Sequence, residues 1–539
     1  MASILDQPLI LGENLSLDPL PQQAPTATSP TVLIVGGGVT GLITAWVLLD
    51  RGYHVTVLAS RWASFTDEQR LTSQIAGALW EYPPAVCGQH TDAISLSNSK
   101  RWCMVAYNIW DEIASDPNRA AISGVQMKGS NFFFPCPLEE DSKQLLKMRE
   151  IESSGIRGFN RAPSLIQRQG IDPRYGAVDA YEHLAPIIDT DRAMEWLMVL
   201  VQSKGAKFVT ETIHGDLYDQ EDELRAHFGA DVIVNATGLA GQELAGDKTC
   251  FPLRGALIRI INDGTDFPKV ESSLAITADA AHDNEIVFIV PRNDNILLLG
   301  GIAQPHEWNL DLTLDSPEIQ RMRARCEAFL PGLEFARTDP DYPLAQGLRP
   351  ARERNVRVER ELRRRRVMVH GRERMEPSRI VHSYGQGGAG WSLSFGCAAD
   401  VAGLVEDALH NLPARAMAVS ERLDVEDVHV QAQLNQSWLR DEVGGRRGLE
   451  RAAHPLRARG ARGGPLGQQR GQEGRGGDFG DQEAGEEGGG GRGGGVVVEV
   501  GGGGVGGGGG GAARKAQWMS SVEVEEVEVL SVGLWWRAM

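Results

Sequence analysis

Three glycines at the spacing Gly36-x-Gly38-x-x-Gly41 follow directly on the apolar run Val32-Leu33-Ile34-Val35. Glycines spaced this way act through what they lack. Without a Cβ the first allows a tight turn, the second lets the backbone approach a pyrophosphate, and the third lets a helix close on a strand. A second cluster, Gly385, Gly387, Gly388 and Gly390, opens another helical stretch, and Thr237-Gly238 ends the apolar run DVIVNA. Each glycine-opened helix turns unpaired N–H groups and the positive end of its dipole toward a ligand. Six cysteines, Cys87, Cys103, Cys136, Cys250, Cys326 and Cys397, are scattered without a CxxC or Cys/His cluster. They read as free thiols of a reducing compartment, not as a zinc site.

The elements that must position the first glycines are a βαβ unit over Thr31 to Ser60. Leu42, Ala45, Leu48 and Leu49 recur at helical spacing, Gly52 ends the helix, and Val55 and Val57 alternate into a second strand. Such units bind dinucleotides, the alternative being a glycine-rich turn in some other α/β protein. The second strand departs from the pattern. It ends Ala59-Ser60-Arg61, where an Asp or Glu for ribose hydroxyls is usual.

Arg70 to Pro84 (RLTSQIAGALWEYPP) sets small Ala76, Gly77 and Ala78 where backbone can approach a ligand, or where a loop is simply tight. Helices are expected over Ser95 to Ser115, Ser142 to Glu152 and Arg192 to Lys204, the last capped by Gly205. Strands are expected over Ala206 to Thr212 and Asp231 to Ala236. Further strands over Leu253 to Ile261, Ile286 to Val290 and Ile296 to Leu299 predict a mostly antiparallel sheet in a second domain, inserted between parts of the first. The basic run Arg363 to Arg366 reads as a solvated loop or edge strand, with nuclear import as the alternative.

Composition bounds the rest. Residues 1–30, rich in Pro, Gln and Thr, are expected to be a disordered lead-in, and residues 413–539 a disordered tail that is glycine-rich from about 441. That last stretch holds 31 of the 64 glycines and has almost no apolar periodicity, so burial cannot offset its chain entropy. The net charge of -18 argues against nucleic acid and against an anionic membrane surface as main partners. No apolar run approaches the roughly 20 residues of a membrane span, and the first thirty residues lack a secretory pattern, so an intracellular location is expected.

In order along 31–410, the stretches VGGGVTGL, LTSQIAGALW, DVIVNATGLAG, IVPRNDNILLLGGI, QGLRPARERNVRVERE and HSYGQGGAGWSLSFGCA resemble the D-amino-acid and D-aspartate oxidases, within the FAD-dependent oxidoreductases of glycine oxidase type. The resemblance implies an α/β fold: a Rossmann-type FAD-binding domain with an interleaved, mostly antiparallel α+β substrate domain. Its span is 31–412, with FAD-binding parts at about 31–85, 205–250 and 378–412.

It also implies noncovalent FAD, and oxidation of a D-amino acid to the imino acid, with O2 reduced to hydrogen peroxide; the alternatives are an FAD-dependent oxidase of another amino or imino substrate, or a flavin-binding protein without turnover. The arginine that clamps the substrate carboxylate falls on Arg349, in Gly347-Leu348-Arg349-Pro350, and the carbonyl that takes the substrate amine falls on Gly388. Flavin contacts fall on Gly36, Gly38, Val39, Gly41, Ser60 and Arg61. Others fall on Thr72, Ser73, Gly77, Ala78 and Leu79, on Ile213 and Thr237, and on Gly387, Gly388, Gly390, Trp391 and Ser392. No side-chain base is needed, because the α-hydrogen leaves as hydride; the protein orients and the cofactor reacts.

Two departures bear on the substrate and the location. Phe288 stands where the family places a tyrosine, and Asn284 where it often places another, so the substrate carboxylate loses hydroxyl partners for which His282 or Asn284 could substitute. The chain ends Trp536-Arg537-Ala538-Met539, without the S-K-L-like peroxisomal address of the family; a cytoplasmic or peroxisomal location is expected.

Overall fold

The structure, a computed structural model, describes residues 8–66, 69–85, 92–277, 286–353, 355–370 and 372–414. His282, Asn284, Cys87 and the tail from 415 onward lie outside the described residues.

β1 (Thr31–Val35), α1 (Val39–Asp50) and β2 (His54–Ala59) form the expected βαβ unit. β1 is central in a six-stranded sheet that runs, edge to edge, through Arg357–Arg360, Ile380–Tyr384, Val232–Asn235, β1, β2 and Lys207–Thr210. All neighbours are parallel except the Arg357–Arg360 edge. Strands of such a sheet are covered on both faces, which is why β1 is a continuous apolar run and is buried from Val32 to Val35. On one face α1 packs against the helices Thr190–Ser203 and Gly390–Leu409. The helix Ala93–Ala114 crosses Gly390–Leu409 closely, since a Cβ at Gly396 would fall 2.1 Å from the Trp102 Cα. Asp400 then takes hydrogen bonds from Arg101 (2.9 and 2.6 Å) and from Trp102 Nε1 (2.7 Å).

The second sheet is built from Cys250–Ile261, Ile296–Gly300, Ile286–Pro291, Ser273–Thr277, Val125–Phe134 and Asp179–Ile188, with Leu344–Arg352 also pairing Cys250–Ile261. Its pairings are antiparallel apart from Val125–Phe134 on Ser273–Thr277. Its strands come from between the strands of the first sheet, so the two layers are interleaved along the chain.

Two sequence expectations need correction. Residues 8–30 are not a disordered lead-in but a strap over α1 and the helix Thr190–Ser203. Leu15 is fully buried, Ser16 N and Gln22 N donate to Asp50 (2.8 and 2.9 Å), and Trp46 Nε1 donates to the Ser16 carbonyl at 2.8 Å. Lys204 Nζ bridges Asp50 at 2.7 Å, both side chains fully buried, and also donates to the Leu20 carbonyl. The anchors lie far along the chain, so composition near the strap does not reveal them. The third FAD-binding part also begins before 378, because Arg357–Arg360 is the antiparallel edge of the parallel sheet.

The basic run opens a hairpin of Arg364–Val369 with Arg372–Pro377. Three of its cations pair with acids, Arg363 with Asp216 and Glu361, Arg365 with Glu221 and Asp222, and Arg366 with Glu373, while Arg364 donates to the Met375 carbonyl. Cys103, Cys136, Cys250, Cys326 and Cys397 are free thiols. No helix among the described residues is long and apolar enough to cross a membrane, and none of their His, Cys, Asp and Glu residues cluster to hold a metal.

Candidate active site

The glycine turn that follows β1 is set by two contacts that only hydrogen can fill. Gly36 has φ +121°, and a Cβ there would fall 2.3 Å from the Ala236 carbonyl oxygen; a Cβ at Gly41 would fall 1.9 Å from the Gly36 carbonyl oxygen. Gly41 therefore closes α1 onto β1 and, contrary to the expectation of a flavin contact, does not line the cavity. It shapes the cavity by shaping the turn.

The other expected residues line one cavity of about 1170 Å3. Gly36, Gly38, Val39, Ser60 and Arg61 line it at the end of the first sheet, with Ile213 and Thr237 beside them. Thr72, Ser73, Gly77, Ala78 and Leu79 line its middle, together with Gly387, Gly388, Gly390, Trp391 and Ser392. Phe288 and Arg349 come from the second sheet. The volume exceeds the 300–1,000 Å3 or so usual for drug-sized ligands, leaving room for a dinucleotide with a substrate beside it.

The middle segment is pinned from several sides. Ser73 Oγ accepts from Val39 N at the start of α1 (3.1 Å), and the Ser73 carbonyl accepts from Trp391 Nε1 (2.9 Å), so this segment links the two glycine-opened helices. Arg70 and Gln74 both bond Asp191, at 2.6 and 2.9 Å. Sequence reasoning missed Arg292. It is buried, and its Nη1 and Nη2 donate to the Ile188 and Ala76 carbonyls (2.8 and 2.5 Å), holding the chain just before Gly77 and Ala78. Burial lowers its guanidinium pKa to about 10, still well charged at neutral pH. An arginine inside an apolar hairpin was the available signal. Ala78 takes a left-handed φ of +47°, a conformation that costs a residue with a Cβ about 1–2 kcal/mol.

Arg349 lies in Leu344–Arg352, and the carbonyls on both sides of it are held by cavity residues. Thr72 Oγ1 donates to the Leu348 carbonyl (3.2 Å) and Gly387 N to the Pro350 carbonyl (2.9 Å). Its Nη1 donates to the Ile302 carbonyl at 3.1 Å and reaches the Arg254 carbonyl at 3.5 Å. No acid among the described residues pairs with it, which argues against a merely structural arginine. A planar guanidinium without a carboxylate partner, facing a cavity, is suited to take a carboxylate from a ligand through two parallel bonds. Phe288 brings no hydroxyl to this region; its ring packs on Gly77, where a Cβ would fall 2.6 Å from the ring. At the far end of the cavity Lys147 Nζ bonds Glu81 (2.7 Å) and the Pro84 carbonyl (2.8 Å), beside Phe132 and Tyr181.

The residues present fit an anionic dinucleotide such as FAD. Neither α1 nor Gly390–Leu409 has a side chain capping its first turn from the N-cap position, so N–H groups remain for a ligand at both helix starts. Gly36, Gly38, Gly387 and Gly388 present backbone alone. Among the described residues, the titratable groups that line the cavity form no acid–base pair beside Arg349; their one His/Glu pair, His214 with Glu243 at 3.6 Å, is exposed and lies near Ile213.

The family model described as FAD dependent oxidoreductase matches residues 31–404. A D-amino-acid oxidase of Streptomyces coelicolor is 30% identical over 376 residues, which are 69% of this chain and 96% of that protein. One of Rubrobacter xylanophilus is 28% identical over 380 residues, 70% of this chain and 96% of that protein. Among solved structures, the L-alpha-glycerophosphate oxidase of Mycoplasma pneumoniae with FAD bound matches with a TM-score of 0.52 and 17% identity, covering 70% of this chain and 95% of that one. That last likeness is one of fold.

Proposed function

We propose, from the premise that this chain belongs to the family of FAD-dependent oxidoreductases, that it dehydrogenates a D-amino acid to the imino acid and passes the electrons to O2, giving hydrogen peroxide. The imino acid then hydrolyses to a 2-oxo acid and ammonia. Bound FAD supplies the hydride acceptor; everything else is positioning by this chain. Arg349 takes the substrate carboxylate and the Gly388 carbonyl accepts a hydrogen bond from the amine, two points that fix how the α-hydrogen is presented. Gly38, Gly388 and Gly390 offer the cofactor backbone N–H groups, Ser73 ties the two glycine-opened helices together, and Thr72 holds the strand of Arg349.

The observation that carries this reading is Arg349 facing the cavity with no acid paired to it among the described residues. Arg349→Leu should keep flavin content and thermal stability while lowering kcat/KM for the best D-amino acid by about two orders of magnitude, since a bidentate charged contact and the alignment it imposes are lost together. Peroxide release from paired D- and L-amino acids measures this. Unchanged turnover by Arg349→Leu would remove the carboxylate clamp from the proposal. A second reading, oxidation of another amine or imino acid, is favoured by Phe288, which withholds a hydroxyl from the carboxylate. A panel that includes N-substituted glycines separates the two.

A further inference from the structure

Dinucleotide folds commonly hold the ribose of the adenosine half with an acid at the end of the second strand. β2 ends Ala59-Ser60-Arg61 and has none. The neighbouring strand supplies one. Lys207–Thr210 runs parallel to β2 with Thr210 opposite Ala59, and the next residue continues the ladder, Glu211 N donating to the Ala59 carbonyl at 3.1 Å. That bond sets Glu211 beside Ser60 at the rim of the cavity, which both residues line and where both are exposed.

Three acids among the described residues line the cavity: Glu81, Glu211 and Glu243. Glu81 is paired with Lys147 at the far end. Glu243 accepts from Gly215 N at 2.8 Å and faces His214. The Glu211 carboxylate has neither hydrogen bond nor ion pair among the described residues, although it stands where the adenosine half of a dinucleotide must lie if the pyrophosphate sits at the start of α1.

We propose that Glu211 takes over the task of the missing β2 acid and accepts hydrogen bonds from the ribose hydroxyls of FAD. The chemistry is complementary. A ribose diol offers two O–H donors, and an ionised carboxylate offers acceptors only, giving charge-assisted bonds that a neutral Ser60 cannot match. The exchange of strands is small in distance, because hydrogen-bonded neighbours lie about 4.8 Å apart, within the span of a glutamate side chain. Arg61, on the same rim, offsets the negative charge that Glu211 adds near the phosphates.

The test is the affinity for flavins of the full chain stripped of its cofactor, measured by quenching of flavin fluorescence. Glu211→Gln should raise the dissociation constant of FAD about tenfold or more, the range for a hydrogen bond to a charged group. Affinity for FMN, which has no adenosine, should stay as in the unaltered protein. Adding Ser60→Asp to Glu211→Gln should recover most of the FAD affinity by returning an acid to β2. The proposal is overturned if Glu211→Gln binds FAD as tightly as the unaltered protein, or if it weakens FAD and FMN by the same factor.

Discussion

The guanidinium of Arg349 lies directly on the backbone of Gly255. A Cβ at Gly255 would fall 2.2 Å from Nη1 and 2.4 Å from Nη2, so the arginine occupies a place that only glycine leaves open. The two residues sit on paired strands, Arg349 opposite Leu253 and Gly255 opposite Gly347. Gly255→Ala should therefore push the guanidinium off its seat. Expected is a fall in kcat/KM of about tenfold or more, a 1 Å misplacement being costly to alignment, while flavin content is retained. Steady-state peroxide kinetics beside the flavin absorbance checks it; kinetics equal to those of the unaltered protein would show that Arg349 is not held by this contact.

Phe288→Tyr adds a hydroxyl near the proposed carboxylate site. If a carboxylate binds there, KM for the best D-amino acid should fall by several-fold to about tenfold, since a hydrogen bond to a charged group contributes about 1.5–3 kcal/mol, less whatever the new hydroxyl loses in solvation. The ring already packs on Gly77, so the fold should be unaffected. A rise in KM would favour the amine or imino-acid reading.

Lys204→Met should destabilise the fold by about 3 kcal/mol, because it leaves the buried side chain of Asp50 without its cation. The remaining donors, Ser16 N, Gln22 N and Trp46 Nε1, keep the loss near the lower end of that range. Urea unfolding measures it. The same variant should expose residues 8–30 to limited proteolysis, since Lys204 also holds the Leu20 carbonyl.

His183 gives a pH dependence whose sign follows from its surroundings. It is buried against Phe132, Trp80 and Tyr181, and burial lowers its pKa from 6.5 to about 4. The folded chain keeps the ring neutral between these values while the unfolded chain takes up a proton. Its contribution is therefore complete above about pH 6.5 and is lost as pH falls toward 4, on the order of 3 kcal/mol. His183→Phe, which keeps the stacking and removes a ring nitrogen that has no partner at Nε2, should flatten the unfolding free energy over that window relative to the unaltered protein. An unchanged slope would mean that the imidazole is protonated in the fold.

Local pattern was enough for the cofactor half. The apolar run before Gly36, the helical spacing of Leu42, Ala45, Leu48 and Leu49 and the spacing of three glycines depend on neighbours a few residues apart, which is the range over which periodicity and turn sterics act. Arg349 was legible through the stretch GLRPAR, but not the reason it faces the cavity. That reason needs the register of Leu344–Arg352 on Cys250–Ile261, which sets a glycine beneath its guanidinium.

The same holds for Arg292 on the Ala76 carbonyl, for Asp50 and Lys204 under the strap, and for Glu211 beside Ser60. Each joins residues more than a hundred positions apart, and no composition or spacing near either partner encodes the other. Sequence alone determined that a dinucleotide turn would form and where. Only the tertiary structure decided which charged groups are used up by partners inside the protein and which remain for a ligand, because a charge is spent or spare according to what the fold brings within about 3 Å of it.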